Sequence, residues 1–151
     1  MLISLLTLAL TLPLEPGVDL GASEQVNAPA LSLICESQTR RTLDPAELPL
    51  AQSSHVQIDC QGYAFLGSPR LAEFVFADGS LTHVWILVDA TELDALEAQF
   101  GAAHGPADAR AAEFSAWFEA RAAVRKDVPE ALYYSAHAAP LFEAWFSGQG
   151  G

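Results

Sequence analysis

Four histidines, two cysteines and one carboxylate set inside an apolar strand are the residues of this 151-residue chain best equipped for chemistry. A histidine serves as base or metal ligand, and a cysteine as nucleophile, ligand or half of a disulfide. Spacing decides among these roles. No glycine-rich phosphate loop, nucleophile elbow, Cys-x-x-Cys or His-Glu-x-x-His occurs. No catalytic residue, metal ligand or cofactor is therefore assigned, and the reading leans away from an enzyme. His83 lies between Thr82 and Val84, where a half-buried, hydrogen-bonded histidine is the plainer reading than a base or ligand. His55 and Asp59 form a His-x-x-x-Asp spacing too common to define a site. His104 and His137 fall at element boundaries. Asp108 is near His104 in sequence, but the set matches no ligand pattern. Ser68, in Gly67-Ser-Pro-Arg70, is a nucleophile only if a histidine and a carboxylate approach it; a turn explains it better.

Glu73 stands out because it interrupts Ala72-Glu-Phe-Val-Phe76. A buried charge needs a partner. Arg70, Arg121 and Arg125 are the available cations, or Glu73 faces solvent at that point. As an ion pair it is structural. As part of a recognition site, with Arg121 and Arg125, it lies on the sheet face turned away from the helices.

Cys35 and Cys60 both sit in strand-like contexts, residues 31–35 and 56–60. Their pairing closes a loop of about 26 residues and stabilises by about 3 kcal/mol on the loop-entropy account. Oxidising conditions are required, and the N-terminus supplies the reason to expect them. Residues 1–14 form an uncharged apolar run with the length of a secretory core, shorter than the ~20 residues that span a bilayer. Gly21-Ala22-Ser23 and Ala28-Pro29-Ala30 offer small-x-small processing points. The run lacks the basic residues that usually open a leader, and Leu33-Ile34 excludes lipidation of Cys35. Export to the periplasm or medium is the expectation, with residues 1–30 as leader, 31–147 as one domain and 148–151 as a tail.

A net charge of −12 excludes nucleic acid as partner, since a phosphate backbone needs a cationic face. Arg121, Arg125 and Lys126 are the densest basic group, and three charges do not make a groove.

The elements that must position these residues are legible in part. Asp78-Gly79 between two apolar runs is the preferred two-residue hairpin turn. That turn pairs Phe76 with Leu81, Phe74 with His83 and Ala72 with Trp85, all on one face. Residues 84–88 are apolar on both faces, which predicts a central strand. Residues 55–59 alternate as a half-buried strand, with a bulge expected at Gly62. A helix is expected over about 91–102, capped by Thr91, with Leu93, Leu96 and Phe100 buried and Gly101 or Gly105 at its end. Residues 111–126 carry competing signals; two strands are preferred over one amphipathic helix. Pro140 opens a short final helix over about 139–146. No internal repeat is visible. The expected fold is α+β: an antiparallel sheet of about five or six strands with both helices packed on one face.

Missing catalytic motifs and a stapled sheet favour a non-enzymatic, protein-binding module of the cell envelope or medium. Two alternatives are a binder of a small apolar ligand in a cavity lined by Phe74, Phe76, Trp85 and Leu96, and a hydrolase of unrecognised family, which requires a cleft in which a histidine meets a carboxylate and a nucleophile. The membrane is expected to meet the chain only in transit. The oligomeric state is left open.

Overall fold

A computed structural model describes residues 14–148; most of the apolar run and the last three residues lie outside the described part. The element order is α1 (Glu24–Ile34), β1 (Ser37–Leu43), β2 (His55–Phe65), β3 (Ser68–Ala77), β4 (Ser80–Leu87), α2 (Leu93–His104), β5 (Ala109–Arg110), β6 (Phe114–Trp117), β7 (Ala122–Arg125), β8 (Glu130–Tyr134) and α3 (Ala139–Phe146). The eight strands form one antiparallel sheet in the order β1-β2-β3-β4-β8-β7-β6-β5. Its centre is the β4–β8 pair, so the strand expected to be central is central. Each half is a helix followed by a four-strand meander, a repetition of topology that no sequence similarity announces.

The class is the expected α+β, and among the described residues the strand count is eight rather than five or six. β1 escaped notice because all but its last residue is exposed, which leaves no alternation to detect. β5 is only two residues long. Residues 31–34, expected to be a strand, instead finish α1, which starts at a Ser23 cap and runs through Pro29. The 111–126 region is two strands, as preferred.

Side chains alternate along each strand, so the sheet has two distinct faces. On the first, Ile58, Phe74, Phe76, Val84, Ile86, Val124 and Tyr133 pack beneath Leu31 of α1 and Leu96 and Phe100 of α2. The Phe100 ring stacks on Trp117 at 5.3 Å. On the second face, Phe114, Ala116, Ala123, Leu132 and Tyr134 lie beneath Phe142 and Phe146 of α3. The two expected helices therefore lie on opposite faces. Successive β8 residues explain it: Ala131 and Tyr133 point one way and Leu132 and Tyr134 the other, all buried, so both sides need a cover.

Two features carry the sheet's register. Asp78 (φ 52°) and Gly79 (φ 86°) form the predicted turn, with Ala77 opposite Ser80. Next to it Phe76 pairs with Leu81, yet Val75 pairs with His83, which leaves Thr82 as an extra residue on β4. This bulge holds Thr82 in place through a hydroxyl that donates to the Val75 carbonyl at 3.1 Å. Beyond it the pairs are Phe74 with Val84, Glu73 with Trp85 and Ala72 with Ile86. A slip of one residue exchanges faces. His83 and Trp85 are consequently on the second face, not the first as expected. The second bulge is at Gly62 (φ 80°), as expected.

α2 follows a short 3-10 turn, Ala90–Glu92. The residue before that turn is Asp89 rather than Thr91, and the Glu92 carboxylate accepts from the Asp89 N–H at 3.0 Å. Glu92 also grips Arg70, whose Nε donates to the Phe65 carbonyl at 3.0 Å, so the β2–β3 hairpin is tied to the start of α2. That pairing holds the Glu92 carboxyl down at about 2. Cys35 and Cys60 form the expected disulfide, joining the end of α1 to β2. Among the described residues no helix is long and apolar enough to cross a membrane.

Candidate functional site

α3 roofs the β6, β7 and β8 part of the second face, and its Phe142 reaches the rings of His83 at 5.0 Å and Trp85 at 6.2 Å on β4. The face also carries a row that register sets side by side: Thr39 on β1, Asp59 on β2, Glu73 on β3, Trp85 on β4 and Leu132 on β8. Thr39 is exposed, the next three are half-buried, and Leu132 is fully covered. The row descends from solvent to the foot of α3.

Asp59 and Glu73 are direct cross-strand partners, an arrangement in which like charges repel. Gln57 bridges them, its Nε2 donating to Asp59 Oδ1 at 2.8 Å and to Glu73 Oε2 at 2.5 Å. Arg41 reaches Asp59 from β1 with Nε to Oδ2 at 3.1 Å. The partner of Glu73 is thus an amide. None of the three arginines proposed for it fills that role. Arg70 serves Glu92, and Arg125 pairs with Asp127 at 2.9 Å and Glu130 at 3.3 Å. Arg121 sits exposed at φ 49° in the turn before β7.

Arg125 nevertheless belongs to the same surface. Its guanidinium lies 5.8 Å from the Trp85 ring centroid and 5.6 Å from that of Trp145, which links sheet to α3 by stacked charge and ring. Glu130 beneath it is buried, and burial pushes its carboxyl up to about 7. Arg125 opposes that rise and the Glu73 charge adds to it. Of the sequence-derived recognition residues, Glu73 and Arg125 share a face with Trp85 between their strands, whereas Arg121 is at the far end of β7. Gln57, Asp59 and Arg41 were missed as site residues. Gln57 and Asp59 alternate with Val56 and Ile58, and that alternation was the available signal for a shared polar face.

The histidines take quieter places. His83 is covered by Phe142 at 5.0 Å between ring centroids, and its Nδ1 is 2.9 Å from the Thr82 hydroxyl. Burial, with a smaller contribution from His55, lowers its titration to about 3. It is a neutral, packed residue at ordinary pH. His55 Nδ1 is 3.2 Å from the Asp44 carbonyl. The loop that begins there, residues 44–54, brings Leu50 against the second-face cluster. Its end is stapled by Asp78, which accepts from the N–H groups of Gln52, Ser53 and Ser54 at 3.0, 2.7 and 3.1 Å. Those bonds hold the Asp78 carboxyl far below its ordinary range.

His104 shares a cleft with carboxylates. With Asp108 and Glu119 it lines a cleft of about 670 Å³ at the end of α2. Its other lining residues are Ala103, Pro106, Trp117, Phe118 and Ala120, so no hydroxyl or thiol side chain faces the histidine there. Asp108 accepts from the Phe118 N–H at 2.7 Å. Among the described residues no group of three or more histidine, cysteine or acidic side chains is placed to hold a metal ion. Ser68 opens β3 opposite Phe65, beside the Leu66-Gly67 turn. The apolar-ligand cavity is not formed as expected: Phe74, Phe76 and Leu96 are fully buried on the first face and Trp85 is on the second.

Fold and surface together define a disulfide-stapled antiparallel α+β domain, closed on one face and, among the described residues, half open on the other. Comparison with protein-family models, with curated proteins and with solved structures finds no match in any of the three.

Proposed function

We propose that this chain is an exported, non-enzymatic module that binds another protein through the open half of its second face. The observation that carries the reading is the row Asp59, Glu73 and Trp85, half-exposed at the foot of α3 and flanked by Arg41 and Arg125. Such a mixture suits a protein interface, where aromatic and arginine side chains supply contact energy and a polar rim supplies register. The disulfide is compatible with an oxidising compartment.

Site-specific photo-crosslinking tests it. A probe at Asp59 is expected to capture one discrete protein in the native compartment, and Glu73→Lys is expected to abolish the adduct. A probe at the exposed Gln25 on α1 is expected to capture none. Identical adducts from both positions, or no adduct from Asp59, would reject the reading.

A further inference from the structure

The leader expected from sequence extends to residue 30, but the segment from Leu14 to Ala30 is built into the domain. Leu14, Val18 and Leu20 pack against the first-face core, and Ala30 is itself buried. The Glu15 N–H donates to the hydroxyl of Tyr63, a side chain only 1% exposed. Asn27, fully buried, closes the segment on itself. Its Oδ1 accepts from the Asp19 N–H at 2.8 Å, while its Nδ2 donates to the carbonyls of Asp19 at 3.1 Å and Ser23 at 3.0 Å. The segment also joins the sheet. Gly21 N–H donates to the Leu81 carbonyl at 2.7 Å and Leu81 N–H donates to the Ala22 carbonyl at 2.8 Å.

We infer that the segment from Leu14 to Ala30 is part of the folded protein and that any leader processing removes none of it, so neither Ser23 nor Ala30 is a cleavage point. Cleavage after Ala30 strips the buried Leu81 of the partners of both its backbone groups and uncovers the β4 end of the core. Buried backbone donors and acceptors are rarely left unpaired in native proteins. Cleavage after Ser23 removes the same partners and also leaves the Asn27 amide without Asp19 and Ser23. A disposable leader makes no such bonds.

Two measurements on the full-length chain recovered from its native compartment decide the boundary. Intact mass with N-terminal sequencing is expected to give a first residue no later than Leu14; Met1 itself, with the apolar run retained, agrees equally. A first residue at Glu24 or Leu31 overturns the inference. In parallel, Asn27→Ala in the full-length chain is expected to lower Tm by about 5 °C or more. An unchanged Tm overturns it too, because a removed segment has no influence on the fold.

Discussion

The two faces of the sheet are made by the same strands and behave as different materials. The first is apolar from β2 to β7 and lies under α1, α2 and the segment from Leu14, with Phe74, Leu81, Val84, Ile86, Leu96 and Phe100 all fully buried. Among the described residues the second is covered by α3 and by Leu50 of the 44–54 loop, and it presents Asp59, Glu73 and Trp85, half-buried, beside that cover. One extra residue, Thr82, decides which side chains of β4 belong to which face. The lesson is that a single bulge can move a tryptophan and a histidine from one face of a sheet to the other.

Truncations that separate the faces should show the largest contrast. Phe74→Ala is expected to cost about 3–5 kcal/mol in urea unfolding, the range for a large buried aromatic. Trp85→Ala, half-exposed and outside that core, is expected to cost under about 2 kcal/mol. Equal losses would erase the distinction between the faces.

Reduction of Cys35–Cys60 comes next, at about 2–4 kcal/mol, because the bridge closes a long loop across the closed face. The check is a pair of thermal melts, with and without reductant.

Acid should act through the covered part of the second face. His83 titrates near 3 when folded and near 6.5 when free, so the folded state favours its neutral form. That contribution is fully present above about pH 6.5 and is lost progressively as pH falls toward 3. His83→Gln is expected to flatten this part of the stability profile.

Glu130 has the opposite sign. Its folded-state titration near 7 is above the ordinary value of 4.5, so the stabilising effect of the protonated form is complete below about 4.5 and fades as pH rises through 7. Glu130→Gln is expected to raise stability at pH 8 by about 1 kcal/mol, since the Arg125 pairing that it weakens offsets part of the gain, and to change little at pH 4. A destabilised variant at pH 8 would show that the Arg125 pairing outweighs the burial.

The smallest effect separates recognition from architecture. Glu73→Gln removes one of two facing carboxylates and should shift stability by less than about 0.5 kcal/mol. A loss of about 3 kcal/mol or more would mark Glu73 as half of a structural pair.

Local signals were the legible part. Asp78-Gly79 specified its turn, Gly62 its bulge and Pro140 the start of α3, and of the two glycines offered for the end of α2, Gly105 is the one that ends it. What stayed hidden depends on tertiary context. β1 is an edge strand with no buried face of its own, carrying Arg40 and Arg41 as edge strands often carry charge. α1 contains a proline that reads as a break, and its Ala-Pro-Ala reads as a processing point. The Thr82 bulge has no glycine to betray it, so alternation counted from the turn assigned Trp85 to the wrong side. The amide partner of Glu73 was missed for a simpler reason. A search for cations cannot find Gln57, which reaches Glu73 across the sheet.

Oxidative footprinting of the three tryptophans, in the intact compartment and in the purified chain, tests the recognition surface most directly. Trp85 is expected to be reactive when purified and protected in the compartment, with Trp117, only 3% exposed, unreactive in both. Equal modification of Trp85 in the two settings would contradict a partner on the open half of the second face.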